Sequence, residues 1–228
     1  GLQGDLSSLT AVELGEAAIR AVLARANLEG GAVDEVIMGC VLPSGLRQGP
    51  ARQAAIDAGI PVSVGATTIN KLCGSGMKAA MLAFDQIKAG TNQIMVAGGM
   101  ESMSRAPYLL PKVRTGLRMG HGELQDAMFT DGLEDAKTGR LMGAFAQDVA
   151  DQFQVTREDM DDYAIKSLQK ALAAIENDAL TDEIVPVEIS TRAGKVVISI
   201  DEQPGKANLD KIKTLKPAFK ADGTVTAA

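Results

Sequence analysis

The chain has few aromatic residues, two cysteines and one histidine, and each shortage excludes a class of structure or chemistry. Aromatics make up 3% of the 228 residues and tryptophan is absent, so the core must pack from small aliphatic side chains and methionine, which lets helices and strands approach closely. The two cysteines, Cys40 and Cys73, cannot form a disulfide framework, and they fit a reducing compartment. His121 is the only imidazole available as a catalytic base.

Charge and hydropathy exclude two further classes of protein. The formal net charge is −6 and the isoelectric point is near 4.9, whereas a nucleic-acid surface needs a clustered basic face. No apolar run is long enough to span a bilayer, and no basic-then-apolar leader opens the sequence. The composition therefore predicts a globular, cytoplasmic protein without nucleic-acid or membrane partners.

Helix and strand patterns alternate over the first hundred residues. Thr10 and Glu13 have the spacing of a capping box at a helix start, and Pro50 suits the first turn of a second helix. The apolar run at 36–38 indicates a strand that is buried on both faces. The alternation of three helices with three strands is typical of a layered α/β domain with a mostly parallel sheet, and we assign it to residues 1–99.

Residues 100–228 differ in character from the preceding part of the chain. The stretch 100–135 is rich in glycine, proline and methionine and has no clear periodicity. Beyond it, the sequence predicts helices over 143–152 and 156–176 and an antiparallel strand pair within 184–200. We therefore predict that this part of the chain leaves the sheet as a second, α+β domain.

Cys73 has the sequence surroundings of a reactive cysteine. It lies between a predicted strand at 62–69 and a predicted helix at 77–89, and Gly74 and Gly76 follow it. A helix N-terminus favours the thiolate, and glycines let a substrate approach the backbone. A small cysteine buried at a close-packed turn would show the same pattern. The local sequence therefore leaves a catalytic and a structural interpretation open.

The other candidate positions indicate no second site. Cys40 ends an apolar strand, which favours a core residue. No further ligands at suitable spacing accompany the cysteines, so no metal site is predicted. Gly98 and Gly99 follow a strand but lack the spacing of a dinucleotide-binding loop.

Three separated segments resemble thiolases, and they occur in collinear order. The first is 70–79, Asn-Lys-Leu-Cys-Gly-Ser-Gly-Met-Lys-Ala, which contains Cys73; the second is 96–108; the third consists of 216–219 with 222–227. The similarity extends over essentially the whole chain. The sequence is therefore identified as a member of the thiolase family (acetyl-CoA C-acetyltransferase or 3-ketoacyl-CoA thiolase), with a thiolase-like layered α/β fold and an α+β loop domain expected.

The resemblance implies an acyltransferase of fatty acid metabolism. By resemblance, Cys73 is acylated by acyl-CoA, either in the Claisen condensation of two acyl-CoA molecules or in the thiolytic cleavage of 3-oxoacyl-CoA. The substrates are coenzyme A thioesters, and no further cofactor is implied. Residues 100–228 resemble the loop domain, which covers coenzyme A and carries the contacts of a homodimer or homotetramer. Four residues fall on positions that line the coenzyme A site in similar proteins: Leu133, Met142, Phe219 and Ala227.

The resemblance also implies that the sequence is truncated at both ends. The family's first strand, expected at the centre of the sheet, would precede Gly1, so we expect a gap in the sheet. The second half, with the general-base histidine and a second catalytic cysteine, would follow Ala228, so we expect the 228-residue chain alone to be inactive. Two alternatives are a ketoacyl-synthase-like condensing enzyme that uses acyl-carrier protein, and a fragment without catalytic activity.

Overall fold

The chain folds into two compact units. The structure, a computed structural model, describes residues 1–228. The first unit comprises Leu2–Gly132 and Val187–Ile198, and the second comprises Gly1, Leu133–Pro186 and Ser199–Ala228. The predicted boundary after residue 99 and the coenzyme-covering role of the later residues stay predictions.

The first unit is built on three helices and a three-stranded parallel sheet. In chain order these are α1 (Ala11–Ala26), β1 (Glu35–Gly39), α2 (Pro50–Asp57), β2 (Gly65–Ile69), α3 (Ser75–Lys88) and β3 (Met95–Gly99). Two antiparallel pairs lie outside this sheet: β4 (Tyr108–Leu109) with β5 (Gln125–Asp126), and β6 (Val187–Thr191) with β7 (Gly194–Ile198). The predicted alternation of helices and strands is confirmed, and no strand after residue 99 joins the main sheet.

The sheet has the order β2-β1-β3, with β1 at its centre. Val36 of β1 lies opposite Ala66 on one side and Val96 on the other. Val36, Ile37 and Met38 are almost completely buried, which confirms the prediction of a strand covered on both faces. The expectation of a gap in the sheet was wrong. Both hydrogen-bonding edges of β1 are occupied by its neighbours, so a further strand can join only beyond β2 or β3.

Helices cover both faces of the sheet. Successive side chains of a strand point to opposite faces. Met38 belongs to the core that also contains Ala54 of α2 and buried residues of α1. Gly39, on the other face, packs directly against Ser75 at the start of α3. Ala79, one turn further along α3, is fully buried, so small side chains set a short distance between this helix and the sheet.

The second unit is mostly helical. It contains α4 (Met142–Gln152), α5 (Arg157–Glu176), α6 (Glu202–Lys206) and α7 (Leu209–Ile212). Arg157 donates to both carboxylate oxygens of Asp161 at 2.8 Å, and to the carbonyls of Ile212 and Leu215 at 3.2 and 2.9 Å. Because Asp161 is buried, this charged network fastens α5 to α7 and to the turn that follows it. Across residues 1–228, no helix has the length and apolar character that crossing a membrane requires.

Candidate active site

A tight turn between β2 and α3 presents Cys73 at the surface of the first unit. The Asn70 side-chain oxygen accepts a hydrogen bond from the Leu72 amide at 2.9 Å. Leu72 has a φ of 49°, in the left-handed region that residues other than glycine seldom adopt. Cys73 comes next, and its free thiol is exposed. A strained backbone of this kind persists only where the surrounding contacts hold it.

Ser75 supplies those contacts from inside the turn. Its hydroxyl accepts from the Lys71 amide at 2.8 Å and donates to the Leu72 carbonyl at 2.6 Å. The Ser75 amide also donates to the Leu72 carbonyl, at 3.0 Å. Ser75 is only 4% exposed, so it ties the backbone that precedes Cys73 to the start of α3 without reaching the surface. The sequence patterns do not single it out, although a serine two residues after a candidate nucleophile, at a helix start, is a signal that could have.

Three glycines let α3 begin directly on the carboxyl end of the sheet. A Cβ atom on Gly39 would lie 2.6 Å from the Ser75 Cβ, closer than packed atoms allow. Gly99 pairs with Gly39 in the neighbouring strand, and a Cβ there would lie 3.4 Å from the Cα of Gly76. The carboxyl ends of parallel strands are the usual location of sites in α/β proteins.

Helix α3 begins at Ser75, two residues before the predicted start at Met77, and Gly74 is its N-cap. Cys73 therefore directly precedes the cap. The first amides of a helix have no intrahelical acceptor and carry a positive partial charge, which attracts negatively charged groups. No ionisable side chain of residues 1–228 makes a hydrogen bond to Cys73. His121 is exposed, in the segment between β4 and β5.

Cys40 is a core residue, as predicted. It is 1% exposed, and its sulfur lies 3.7 Å from a carboxylate oxygen of Glu101. Burial, together with the negative charge of Glu101, raises the pKa of the Cys40 thiol from 9.0 to about 12. The Glu101 carboxylate also accepts from the amides of Val41 and Leu42, at 2.7 and 3.2 Å. Glu101 thus holds the chain after β1, and Cys40 remains a protonated thiol at neutral pH.

Cys40 should make the free energy of unfolding decrease above pH 9. The unfolded thiol ionises near 9.0, whereas the folded one keeps its proton up to about 12. Between these values the unfolded chain binds fewer protons, so Cys40 lowers stability by up to about 1.4 kcal/mol for each pH unit. Below pH 9 the thiol is protonated in both states and its contribution is constant. Urea unfolding should show that the free energy of unfolding decreases less between pH 8 and pH 10 in Cys40→Ser than in the unaltered chain.

Cys40→Ala is the matched control for this measurement. It lacks an ionisable group, as Cys40→Ser does, so both variants should lose the same free energy between pH 8 and pH 10 even if their absolute stabilities differ. A loss in both variants as large as that of the unaltered chain would contradict the assigned pKa.

The four positions predicted to line a coenzyme A site all lie in the second unit. Leu133 ends a π-helical turn, and Met142 opens α4. Glu134 and Leu141 form an isolated antiparallel bridge, which brings their neighbours Leu133 and Met142 into the same region of the unit. Met142 is 45% exposed, so its side chain is accessible to a ligand.

Phe219 packs on the first turn of α4. A Cβ atom on Gly143 would lie 2.1 Å from the ring, so a larger residue there would displace Phe219 from this position. Ala227 follows a loop that is closed by a hydrogen bond of 2.9 Å from the Ala218 amide to the Val225 carbonyl. Ala227 also lines a cavity of about 1110 Å³ between α5 and the final part of the chain, and the other three positions do not.

The acidic, histidine and cysteine side chains of residues 1–228 form no cluster of three or more that could hold a metal ion. The exposed thiol of Cys73 is a side chain of the kind that can act as a nucleophile.

Fold and site together define a protein class: an α/β protein with an exposed cysteine held on a strand-to-helix turn. The family model described as "Thiolase, N-terminal domain" matches residues 1–228. The chain belongs to the thiolase family, which confirms the prediction made from its three motifs.

The individual relatives agree with the family model. An acetyl-CoA acetyltransferase of Pseudomonas aeruginosa is 49% identical over 227 residues, which cover 99% of this chain and 58% of that protein. The crystal structure of the Bacillus anthracis acetyl-CoA acetyltransferase matches with a TM-score of 0.94 at 41% identity, over 98% of this chain and 57% of that one. A thiolase of Ascaris suum in complex with coenzyme A matches with a TM-score of 0.91 at 39% identity, over 99% and 57%. The chain thus spans little more than half the length of these relatives.

Proposed function

We propose that this chain is the nucleophile-bearing part of an acyl-CoA C-acyltransferase of the thiolase family. The reaction is the condensation of two acyl-CoA molecules, or its reverse, the thiolytic cleavage of 3-oxoacyl-CoA. The observation that carries the proposal is the contrast between Cys73, exposed on a held turn beside α3, and Cys40, buried against Glu101. The names of the Pseudomonas and Bacillus relatives support acetyl as the acyl group.

In the first half-reaction the sulfur of Cys73 attacks the carbonyl carbon of acyl-CoA. A new carbon–sulfur bond forms, the bond to the coenzyme A sulfur breaks, and coenzyme A leaves with the proton that Cys73 gives up. In the second half-reaction an acyl-CoA enolate attacks the Cys73 thioester and releases the thiolate. A thioester suits both steps because it keeps the acyl group activated between them. By resemblance, the histidine base that manages these protons belongs to sequence following Ala228.

Coenzyme A is proposed to bind along the second unit, at Leu133, Met142, Phe219 and Ala227. Three observations support this: the partial exposure of Met142 and Phe219, the packing of Phe219 on the first turn of α4, and the coenzyme A found with the Ascaris thiolase. Assembly as a homodimer or homotetramer and a cytoplasmic location stay predictions.

Alkylation should distinguish the two cysteines of the complete protein, meaning a protein extended to the full length of the relatives. Iodoacetamide is expected to modify Cys73 far faster than Cys40, because the Cys73 thiol is exposed and lies at a helix N-terminus whereas Cys40 is buried and its pKa is raised. Prior incubation with acetyl-CoA should protect Cys73 and leave the mass of one acetyl group on its peptide. Peptide mass spectrometry over a time course measures both effects.

Acetyl phosphate is a suitable control for that experiment, since it carries an acetyl group without coenzyme A and should protect Cys73 poorly. Equal labelling of Cys40 and Cys73, or no protection by acetyl-CoA, would refute Cys73 as the acylated residue.

A further inference from the structure

Gln147 is the buried centre of a hydrogen-bond network between α4 and the loop 218–225. It is 2% exposed. Its side-chain oxygen accepts from the amides of Thr224 and Val225, at 2.8 and 2.9 Å. Its side-chain nitrogen donates to a carboxylate oxygen of Asp151 at 2.8 Å and to the Thr224 hydroxyl at 3.1 Å. A carboxamide can make four hydrogen bonds, and Gln147 makes all four.

The network is one of three contacts that α4 makes with this loop at intervals of four residues. Gly143 lies against the ring of Phe219, Gln147 binds the loop backbone, and Asp151 forms a salt bridge of 3.0 Å with Lys220. Residues four apart lie on the same face of a helix. One face of α4 therefore fixes the position of the loop along the helix, and Gln147 makes the middle one of the three contacts.

The positions proposed to bind coenzyme A lie on either side of this network. Met142 precedes Gly143 at the start of α4, Phe219 lies near the start of the loop, and Ala227 follows its end. Gln147 itself is buried and cannot reach a ligand at the surface. Its hydrogen bonds fix how far the loop stands from the helix, and therefore how Phe219 and Ala227 are placed relative to Met142.

We infer that Gln147 is a positioning residue for coenzyme A, which holds the loop 218–225 on α4 so that Met142, Phe219 and Ala227 together form one binding surface. The inference rests on the proposed function. It predicts that Gln147 governs the affinity for coenzyme A and leaves the acyl transfer chemistry of Cys73 largely unaffected.

The charges around Gln147 require a neutral side chain at this position. The hydrogen bond from Lys220, and to a smaller extent the one from Gln147, hold the pKa of Asp151 below its ordinary value. Lys220 in turn lies near Asp148 and Asp222. A glutamate in place of Gln147 would put a second carboxylate at hydrogen-bond distance from Asp151, and two adjacent carboxylates can be accommodated only when they share a proton.

The first test uses Gln147→Met in the complete protein. Methionine has a similar length but makes none of the four hydrogen bonds, so the partly buried amides of Thr224 and Val225 lose their acceptor. We expect the Kd of coenzyme A, measured by titration calorimetry, and the KM to rise about tenfold, while kcat changes less than about threefold. Gln152→Met is the matched control, since Gln152 is exposed on the same helix and its replacement should leave the Kd unchanged.

The second test uses Gln147→Glu as a conservative variant with a pH readout. At pH 8 the two carboxylates repel, and the Kd of coenzyme A should be raised about as much as in Gln147→Met. At pH 6 a proton shared by the two carboxylates restores a hydrogen-bond donor to the network. The Kd of the Gln147→Glu variant, divided by the Kd of the unaltered protein, should therefore fall towards one.

The outcomes separate the inference from the proposed function. If the unaltered protein does not bind coenzyme A, the proposed function fails and the inference fails with it. If the unaltered protein and both Gln147 variants bind equally well at pH 8, or if the Gln147→Glu ratio does not depend on pH, the inference alone is overturned. A lower melting temperature of Gln147→Met with an unchanged Kd would likewise overturn it.

Discussion

Substituting Cys73 by alanine in the complete protein is expected to reduce kcat for acetoacetyl-CoA cleavage by roughly 10⁴-fold or more, as for the loss of other covalent nucleophiles. Without the sulfur no thioester can form, and no other exposed thiol exists in residues 1–228 to replace it. The melting temperature should hardly change, because exposed side chains away from structural features contribute within about 0.5 kcal/mol. Steady-state kinetics and a thermal unfolding curve on the same preparation measure both quantities.

Cys40→Ser is the matched control for this substitution. It also removes a thiol, but Cys40 is buried beside Glu101, and a serine hydroxyl can donate to the same carboxylate. We expect this variant to lose some stability and to keep kcat within about threefold, since Cys40 has no part in the proposed chemistry. An active Cys73→Ala protein, or an inactive but folded Cys40→Ser protein, would show that the nucleophile is wrongly assigned.

The 228-residue chain alone is expected to show no measurable turnover of acetoacetyl-CoA. Acyl transfer needs a base that takes the proton of the thiol, and condensation needs a base beside the substrate carbonyl. General acid–base groups contribute about 10²–10⁴-fold each. Cys73 makes no hydrogen bond to an ionisable side chain, and the single imidazole, His121, is exposed between β4 and β5. We therefore expect that the proposed nucleophile has no base to activate it when the 228-residue chain is assayed alone.

A version extended to the full length of the relatives provides the comparison, assayed at the same concentration and pH. Far-UV circular dichroism and faster alkylation of Cys73 than of Cys40 would establish that the shorter chain is folded when it is assayed. Robust turnover by the folded 228-residue chain would mean that the catalytic bases lie within these residues.

The elements of the first unit could be predicted because each depends on residues close together in the sequence. The Glu13 amide donates to the Thr10 hydroxyl at 3.2 Å, and the Glu13 carboxylate accepts from the Thr10 amide at 2.7 Å. The capping box is therefore complete within four residues. Boundaries were less certain where a turn competes with a strand. The Val64 amide donates to the Pro61 carbonyl at 3.0 Å. A turn therefore forms where the β-branched pattern predicts the start of the strand.

The neighbours of each strand could not be predicted in the same way. An apolar run shows that β1 is buried on both faces, but its hydrogen-bonding partners are chosen by the packing of the whole sheet. The expectation of a gap came from the family resemblance, and the direct pairing of β1 with β2 and β3 shows that it was wrong.

By itself, the sequence determined that Cys73 lies between a strand and a helix and is followed by Gly74 and Gly76, because helix and strand signals act over a few residues. Only the tertiary structure decided that Cys73 is exposed, because burial depends on which elements pack over a residue. The packing of α3 on Gly39 brings together residues more than thirty positions apart in the sequence. The contact of Gln147 with Thr224 brings together residues that are 77 positions apart. Such contacts have no local signature, since they arise only when packing brings distant segments within hydrogen-bonding or van der Waals distance.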